Sequence, residues 1–375
     1  LLLSPVSRIF NHLANELLYK DLRVRNVEKA ISGLRETLKG KKNLGERVRS
    51  LCVVPGEIEK SWQNEVPRIE SLFALLEELP NLVELDLQES PAEPTPSPDA
   101  GRTPLAGVQT PPPQFLSITS LTTGTINTNV LSIFLLSLPS LTHLSHSSIY
   151  LSALLPPPFN PLLPPLPNLT SYRAPFQFTH HLPSFSFSNQ LTHLELFPTD
   201  RHSSLNLDSL IILQNLLHLS ISRGENNTST EEYESKIVQY LSPSLSSPPS
   251  LLSLSLSWLP STTLILALPP SITSLSFQLT SPPPSLHLRS APKVGRLGMD
   301  LVESMRRVGE QAGGEGEGEG RKMKVVLWCE EGDGAVRRLR ERKDWNELVR
   351  EFEKDGVNFV LEERESRGAS GGRLR

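Results

Sequence analysis

His193 and Glu195 stand two residues apart in QLTHLELF, residues 190–197, an imidazole and a carboxylate within reach of each other. Such a pair can serve as general acid and base or begin a metal site. His143 in LTHLSH and His218 in LLHLSI hold the same position as His193, so three imidazoles share one local setting. Alternate side chains of a strand leave on opposite faces, which sends the histidines one way and the leucines around them the other. If neighbouring strands carry His193 and His218, the spacing predicts rings about 5 Å apart. A catalytic base also needs a positioned partner, and a metal needs more converging ligands. The corresponding residues elsewhere are Glu84, Ser171, Ser253 and Ser274, a mixture that reads as a solvent-facing position. Neither a GxSxG elbow nor a GxxxxGK[ST] phosphate loop occurs. The expectation is no catalytic residue, no cofactor and no metal.

The elements that would position these residues come from a repeated spacing. LxxLxL occurs at VRSLCV (48–53), LVELDL (82–87), LTHLSH (141–146), LTSYRA (169–174), LTHLEL (191–196), LLHLSI (216–221), LLSLSL (251–256) and ITSLSF (272–277). Most steps between starts fall in the ~20–29 residue period of leucine-rich repeats. The long gap between 82 and 141 leaves room for a degenerate unit around FLSITSL, 115–121. A short strand cannot bury its apolar edge alone, but a stack of them can. Pro80, Pro139 and Pro167 each precede a strand and stop the segment before it, most clearly after IESLFALLEEL. Ser and Pro dominate the later connectors, which predicts irregular linkers there. The pattern departs from leucine at His146, Tyr172 and Ala174.

The fold class predicted is α/β, a leucine-rich-repeat solenoid of short parallel strands with irregular or helical connectors. An N-terminal helical segment spans 1–25, repeats span 26–290 with a Pro/Ser-rich insert at 90–113, and a Gly/Glu linker covers 291–320. Strand, helix and strand at 321–365 form a C-terminal cap, and 366–375 is a tail. GAVRRLRERKDW carries acidic neighbours and reads as a solvated helix face. Trp258 and Trp328 fall in or beside strands and read as core.

Charge is uneven: 27 charged side chains lie in residues 1–90, 15 in 91–290 and 36 in 291–375. The net charge of -4, with both signs interspersed, argues against a nucleic-acid surface and leaves proteins as partners. Cys52 and Cys329 are too few and too far apart for a disulfide framework, so the expected location is the cytoplasm or nucleus. No apolar run approaches the ~20 residues of a membrane span. The chain opens at Leu1 rather than Met, and residues upstream are expected.

VSRIFNHLANELLYKDL resembles the segment joining the last F-box helix to the first repeat in fungal F-box-like leucine-rich-repeat proteins. The residues carrying the likeness are Val6, Ser7, Arg8, Phe10, Leu13, Ala14, Leu17, Leu18, Tyr19, Asp21 and Leu22. In that family the F-box docks on the Skp adaptor of a cullin-RING ubiquitin ligase, and the repeats hold the substrate. The resemblance implies a non-enzymatic recognition subunit; a helix capping the first repeat of a plain scaffold is the alternative. The partner face expected from the repeat pattern comprises Glu84, Asp86, His143, Ser145, Ser171, Arg173, His193, Glu195, His218 and Ser220.

Overall fold

The structure is a computed structural model and describes residues 19–54 (save 26 and 41), 66–88, 112–150, 166–176, 188–198, 213–223, 230–241, 251–278 (save 259 and 270), 323–330, 345–354 and 357–364, with isolated positions 179, 205, 207, 208, 210, 337, 340 and 341. The chain divides into two units, Leu1–Ala174 with Ser184–Gln190, and Pro175–Pro183 with Leu191–Arg375.

In the first unit six strands, β1 (Asp21–Arg25), β2 (Ser50–Val54), β3 (Glu84–Leu87), β4 (Ser120–Asn127), β5 (His143–Tyr150) and β6 (Ser171–Pro175), each pair in parallel with the next. In the second, β7 (His193–Phe197), β8 (His218–Ile221), β9 (Ser253–Leu256), β10 (Ser274–Gln278), β11 (Met323–Glu330) and β12 (Val357–Arg364) do the same. Parallel neighbours in chain order, each reached by a crossover, are the plan of a leucine-rich repeat. The LxxLxL spacing sets the register. Leu51, Leu85, Leu121, Leu144 and Tyr172 lie opposite one another across the first unit. Leu194, Leu219, Leu254, Leu275 and Val325 do so in the second. All ten are buried.

Helices occupy several crossovers: α1 (Val27–Gly40), α2 (Val66–Leu76), α3 (Thr128–Ser137), α4 (Thr230–Leu241), α5 (Thr262–Leu266) and α6 (Trp345–Lys354). On α2, Ile69, Leu72, Phe73 and Leu76 follow helical spacing and are buried. Phe73 sets its ring 5.4 Å from Phe134 of α3 and 5.6 Å from Phe115. Pro80 has no N–H with which to continue the turn after α2. Gly45 is fixed by crowding, because a Cβ there would lie 2.0 Å from the carbonyl oxygen of Glu78.

Neighbouring repeats are also tied by side chains. Asn81 Nδ2 donates to the Glu46 carbonyl at 2.8 Å, and Asn168 Nδ2 to that of Pro139 at 3.0 Å, each reaching the turn one repeat back. At the strand entries Thr142 Oγ1 donates to Thr119 O at 3.1 Å and Thr273 Oγ1 to Leu252 O at 3.4 Å. The position after the first leucine thus carries a threonine for a reason, since its hydroxyl extends the backbone ladder.

Several expectations change. Residues 21–25, taken with the helical segment, form β1, in which Leu22 and Val24 align with Leu51 and Val53. The degenerate unit exists as β4, entered by the buried Ile118. The connector between β8 and β9 is not wholly irregular: it contains the twelve-residue α4. Tyr233 and Glu234 of α4 explain its place. The Tyr233 ring lies 5.5 Å from Phe176 and 6.1 Å from Trp258. The buried Glu234 carboxylate accepts from Trp258 Nε1 and from the Ser261 N–H, both at 3.0 Å, at the start of α5. Trp258 is core, as expected; Trp328 is not, since it shares the outward side of its strand with Lys324 and is half-buried. The strand, helix and strand expected at 321–365 are β11, α6 and β12, and they continue the parallel sheet of the second unit.

His146 and Tyr172, two departures from leucine in consecutive repeats, complete each other. His146 Nε2 and Tyr172 OH share a hydrogen bond of 2.5 Å, with rings 5.4 Å apart. Burial lowers the His146 pKa from 6.5 to about 3 and pushes the Tyr172 hydroxyl far up, so both are neutral.

Candidate protein-binding face

The side of each sheet opposite the leucines carries the residues singled out from sequence. In the first unit Glu84, Ser120, His143 and Ser171 form one cross-strand row, and Asp86, Thr122, Ser145 and Arg173 the next. Glu84 and His143 are exposed, and Asp86, Ser145, Ser171 and Arg173 are half-buried. Strand spacing puts neighbours in a row about 4.8 Å apart, close enough for one bound segment to touch several. Asp86 belongs to a polar chain the sequence did not disclose. Its Oδ2 accepts from Gln88 Nε2 at 2.8 Å, and Gln88 Oε1 accepts from Arg23 Nη2 at 3.2 Å. Arg23 lies on this face because β1 is a strand beside β2, with Arg23 opposite Cys52.

In the second unit His193 and His218 are opposite one another with rings stacked, centroids 4.1 Å apart and planes 19° apart. The sequence expectation of neighbouring imidazoles at about strand spacing is met here. Thr192 Oγ1 lies 2.8 Å from His193 Nδ1, and Thr142 Oγ1 2.7 Å from His143 Nδ1, so the threonine preceding each histidine orients its ring. Glu195 and Ser220 are partners in the adjacent row. That row continues through Ser255 to Ser276, while His218 continues through Ser253 and Ser274 to Lys324.

Among the described residues no group of three or more His, Cys, Asp or Glu side chains converges as a metal would require. Neither Cys52 nor Cys329 is in a disulfide. No helix among the described residues is long and apolar enough to cross a membrane. Chemically, the face offers carboxylates, imidazoles, hydroxyls and a guanidinium at fixed intervals, which suits hydrogen bonding to a polypeptide surface. Of the residues quoted for the F-box likeness, Tyr19 is half-buried just before β1, and Asp21 and Leu22 lie in it. Val6, Phe10, Leu13, Leu17 and Leu18 lie outside the described residues, as do residues 90–111 of the insert at 90–113, the linker at 291–320 and the tail at 366–375.

No protein-family model matches the chain, and no curated protein does. Among solved structures it is similar to the leucine-rich repeat-containing protein LegL7 from Legionella pneumophila, at 15% identity over 66% of this chain and 75% of that one, with a TM-score of 0.40.

Proposed function

We propose that the chain is a protein-interaction module and acts as the substrate-recognition subunit of an SCF-type (Skp-cullin-F-box) ubiquitin ligase. The observation that carries the interaction role is the division of labour along β3 to β10. Leucine-type side chains inside hold the repeat together, so the polar rows outside contribute little to the fold and are free to serve a partner. The ligase role is supported by the likeness of Val6, Phe10, Leu13, Leu17, Leu18 and Tyr19 to the end of an F-box. In this reading the protein works in the cytoplasm or nucleus, takes a protein substrate on its strand faces, and reaches the ligase through the Skp adaptor. Residues 321–365 serve as its C-terminal cap.

A pull-down of the full-length protein on purified Skp adaptor tests the ligase role. Saturable binding, lost when the residues before Asp21 are deleted, is the expected result; that deletion spares β1. A folded protein that ignores the adaptor is a leucine-rich-repeat scaffold without a ligase role. Arg173→Glu on the first unit and Glu195→Lys on the second should each abolish partner capture while leaving the circular dichroism spectrum unchanged. Undiminished capture by either folded variant removes that row from the binding face.

A further inference from the structure

β12 pairs with β11 along its whole length, from Val357 opposite Met323 to Arg364 opposite Glu330. Among the described residues no strand pairs with its other edge. The ladder shows which backbone groups are left over there. Lys324 donates its N–H to Thr273 O at 2.8 Å, so the backbone groups of Lys324 face β10, and those of Val325 and Leu327 face β12. In a parallel pair a residue facing its neighbour bonds the residues on either side of its own partner. Leu327, opposite Leu361, therefore takes Val360 and Glu362. Phe359, Leu361 and Glu363 turn their N–H and C=O groups to the open edge.

An edge of this kind is a template for another strand, and proteins protect it by charge or by shortness. β1, at the start of the first unit, is five residues long and charged at every second one, Asp21, Arg23 and Arg25. β12 is longer, and it opens on VNFVL, which carries no charge. Arg340 brings a cation to this stretch from outside it. It lies before α6 on a helical turn, in which Glu341 N–H donates to Arg337 O at 3.0 Å and Arg337 Nε to Glu341 Oε1 at 2.9 Å. From this exposed position Arg340 Nη2 donates to Leu361 O at 3.0 Å, a carbonyl of the open edge. An incoming strand needs that carbonyl, and would have to displace the guanidinium or bury its charge.

The strand best matched to this edge is its own copy. About a two-fold axis at Leu361, antiparallel pairing sets Leu361 opposite its counterpart and Phe359 opposite Glu363, so each open-edge residue meets another. The same register puts Val360 opposite Glu362 and Asn358 opposite Arg364, with no like charges facing each other. We propose that Arg340 guards the open edge of β12, and that what it holds off is a second copy of this chain pairing through the same strand. The guard acts on backbone groups, independently of what the outward rows bind.

Sedimentation analysis of the full chain gives the test. Wild type should remain a monomer, whereas Arg340→Ala should shift to the mass of a dimer as concentration rises. In that variant the amides of Phe359, Leu361 and Glu363 should exchange more slowly than in wild type, because pairing covers them. Glu363→Pro removes one open-edge N–H and leaves the ladder with β11 whole, so adding it to Arg340→Ala should restore the monomer. Circular dichroism checks the fold of each variant, and Arg340→Met, which keeps the aliphatic stem, takes the place of Arg340→Ala if the latter does not fold. A guard-less variant that stays monomeric wherever wild type does, a dimer whose β12 amides exchange as before, or a dimer that survives Glu363→Pro would each overturn the proposal. So would a wild type already paired through β12.

Discussion

The two units solve the same packing problem with different materials. In the second, the inward positions of β7 to β10 are hydrocarbon throughout, from Leu194 and Leu196 to Leu275 and Phe277. In the first, three of the inward residues are Thr123, His146 and Tyr172, all buried. Outside, the contrast reverses: β1 to β3 carry Asp21, Arg23, Glu84 and Asp86, whereas β8 to β10 carry mainly serines. The repeat therefore demands burial and mutual satisfaction of its inner row, and leucine is only the simplest way to provide them. A polar inner residue survives where the next repeat supplies its partner.

The comparison is broken most severely by placing an unpaired charge where the second unit has none. Leu194→Asp should destabilise the unit by about 5 kcal/mol, from lost burial together with a carboxylate stranded beside Leu219. Hydrogen exchange should show β7 and β8 losing protection first. Retained protection there would mean that the inner row is not what holds the strands.

Acid should separate the units next. His146 takes a proton near pH 6.5 when unfolded but only near pH 3 in the fold, because burial opposes its charge. Between those values the unfolded state holds one more proton, so this contribution to stability is complete above pH 6.5 and declines as pH falls. The decline is about 1.4 kcal/mol per pH unit. The first unit should lose exchange protection around β5 and β6 at a pH where β7 to β10 keep theirs. Replacing both partners, His146→Leu with Tyr172→Phe, should abolish that slope, and a slope that persists in the double variant would assign it to other groups.

These cases also mark how far the sequence could be read. The spacing LxxLxL alone located the strands of eight repeats, because one buried side is imposed at every second residue. His146 and Tyr172 were visible as departures, yet their bond was not, since it depends on a register that only adjacent strands reveal. β1 was hidden because Leu13, Leu17 and Leu18 extend a helical spacing up to its edge. α4 was hidden by the Ser and Pro on either side of YESKIVQYL, although Tyr233, Ile237 and Tyr240 or Leu241 keep helical spacing and are buried. Trp328 reads as core from its place in an apolar strand, but the side of the sheet it takes depends on the register with β10, which one strand alone does not show.

A smaller effect is expected at Gly45, where the first unit depends on a close backbone approach. Gly45→Ala would press a methyl group onto the Glu78 carbonyl, and backbone must shift to make room. A loss of about 1–3 kcal/mol, measured by urea denaturation, is the expected cost of such overpacking. A neutral result would show that the turn carrying Glu78 yields easily.

The smallest effect should have the opposite sign. Thr123 takes a leucine position in β4, is 2% exposed, and its Oγ1 has no hydrogen-bond partner. His146 stands opposite it in β5, but the bond His146 makes is with Tyr172 in the repeat beyond. Thr123→Val keeps the shape and removes the orphaned hydroxyl, so it should raise stability by about 1 kcal/mol. If mutual satisfaction is what the inner row requires, this substitution and the loss of acid sensitivity in the His146/Tyr172 double variant are two outcomes of one rule. A destabilised Thr123→Val would show that the hydroxyl is answered in solution, and that the first unit tolerates its polar inner residues only in pairs.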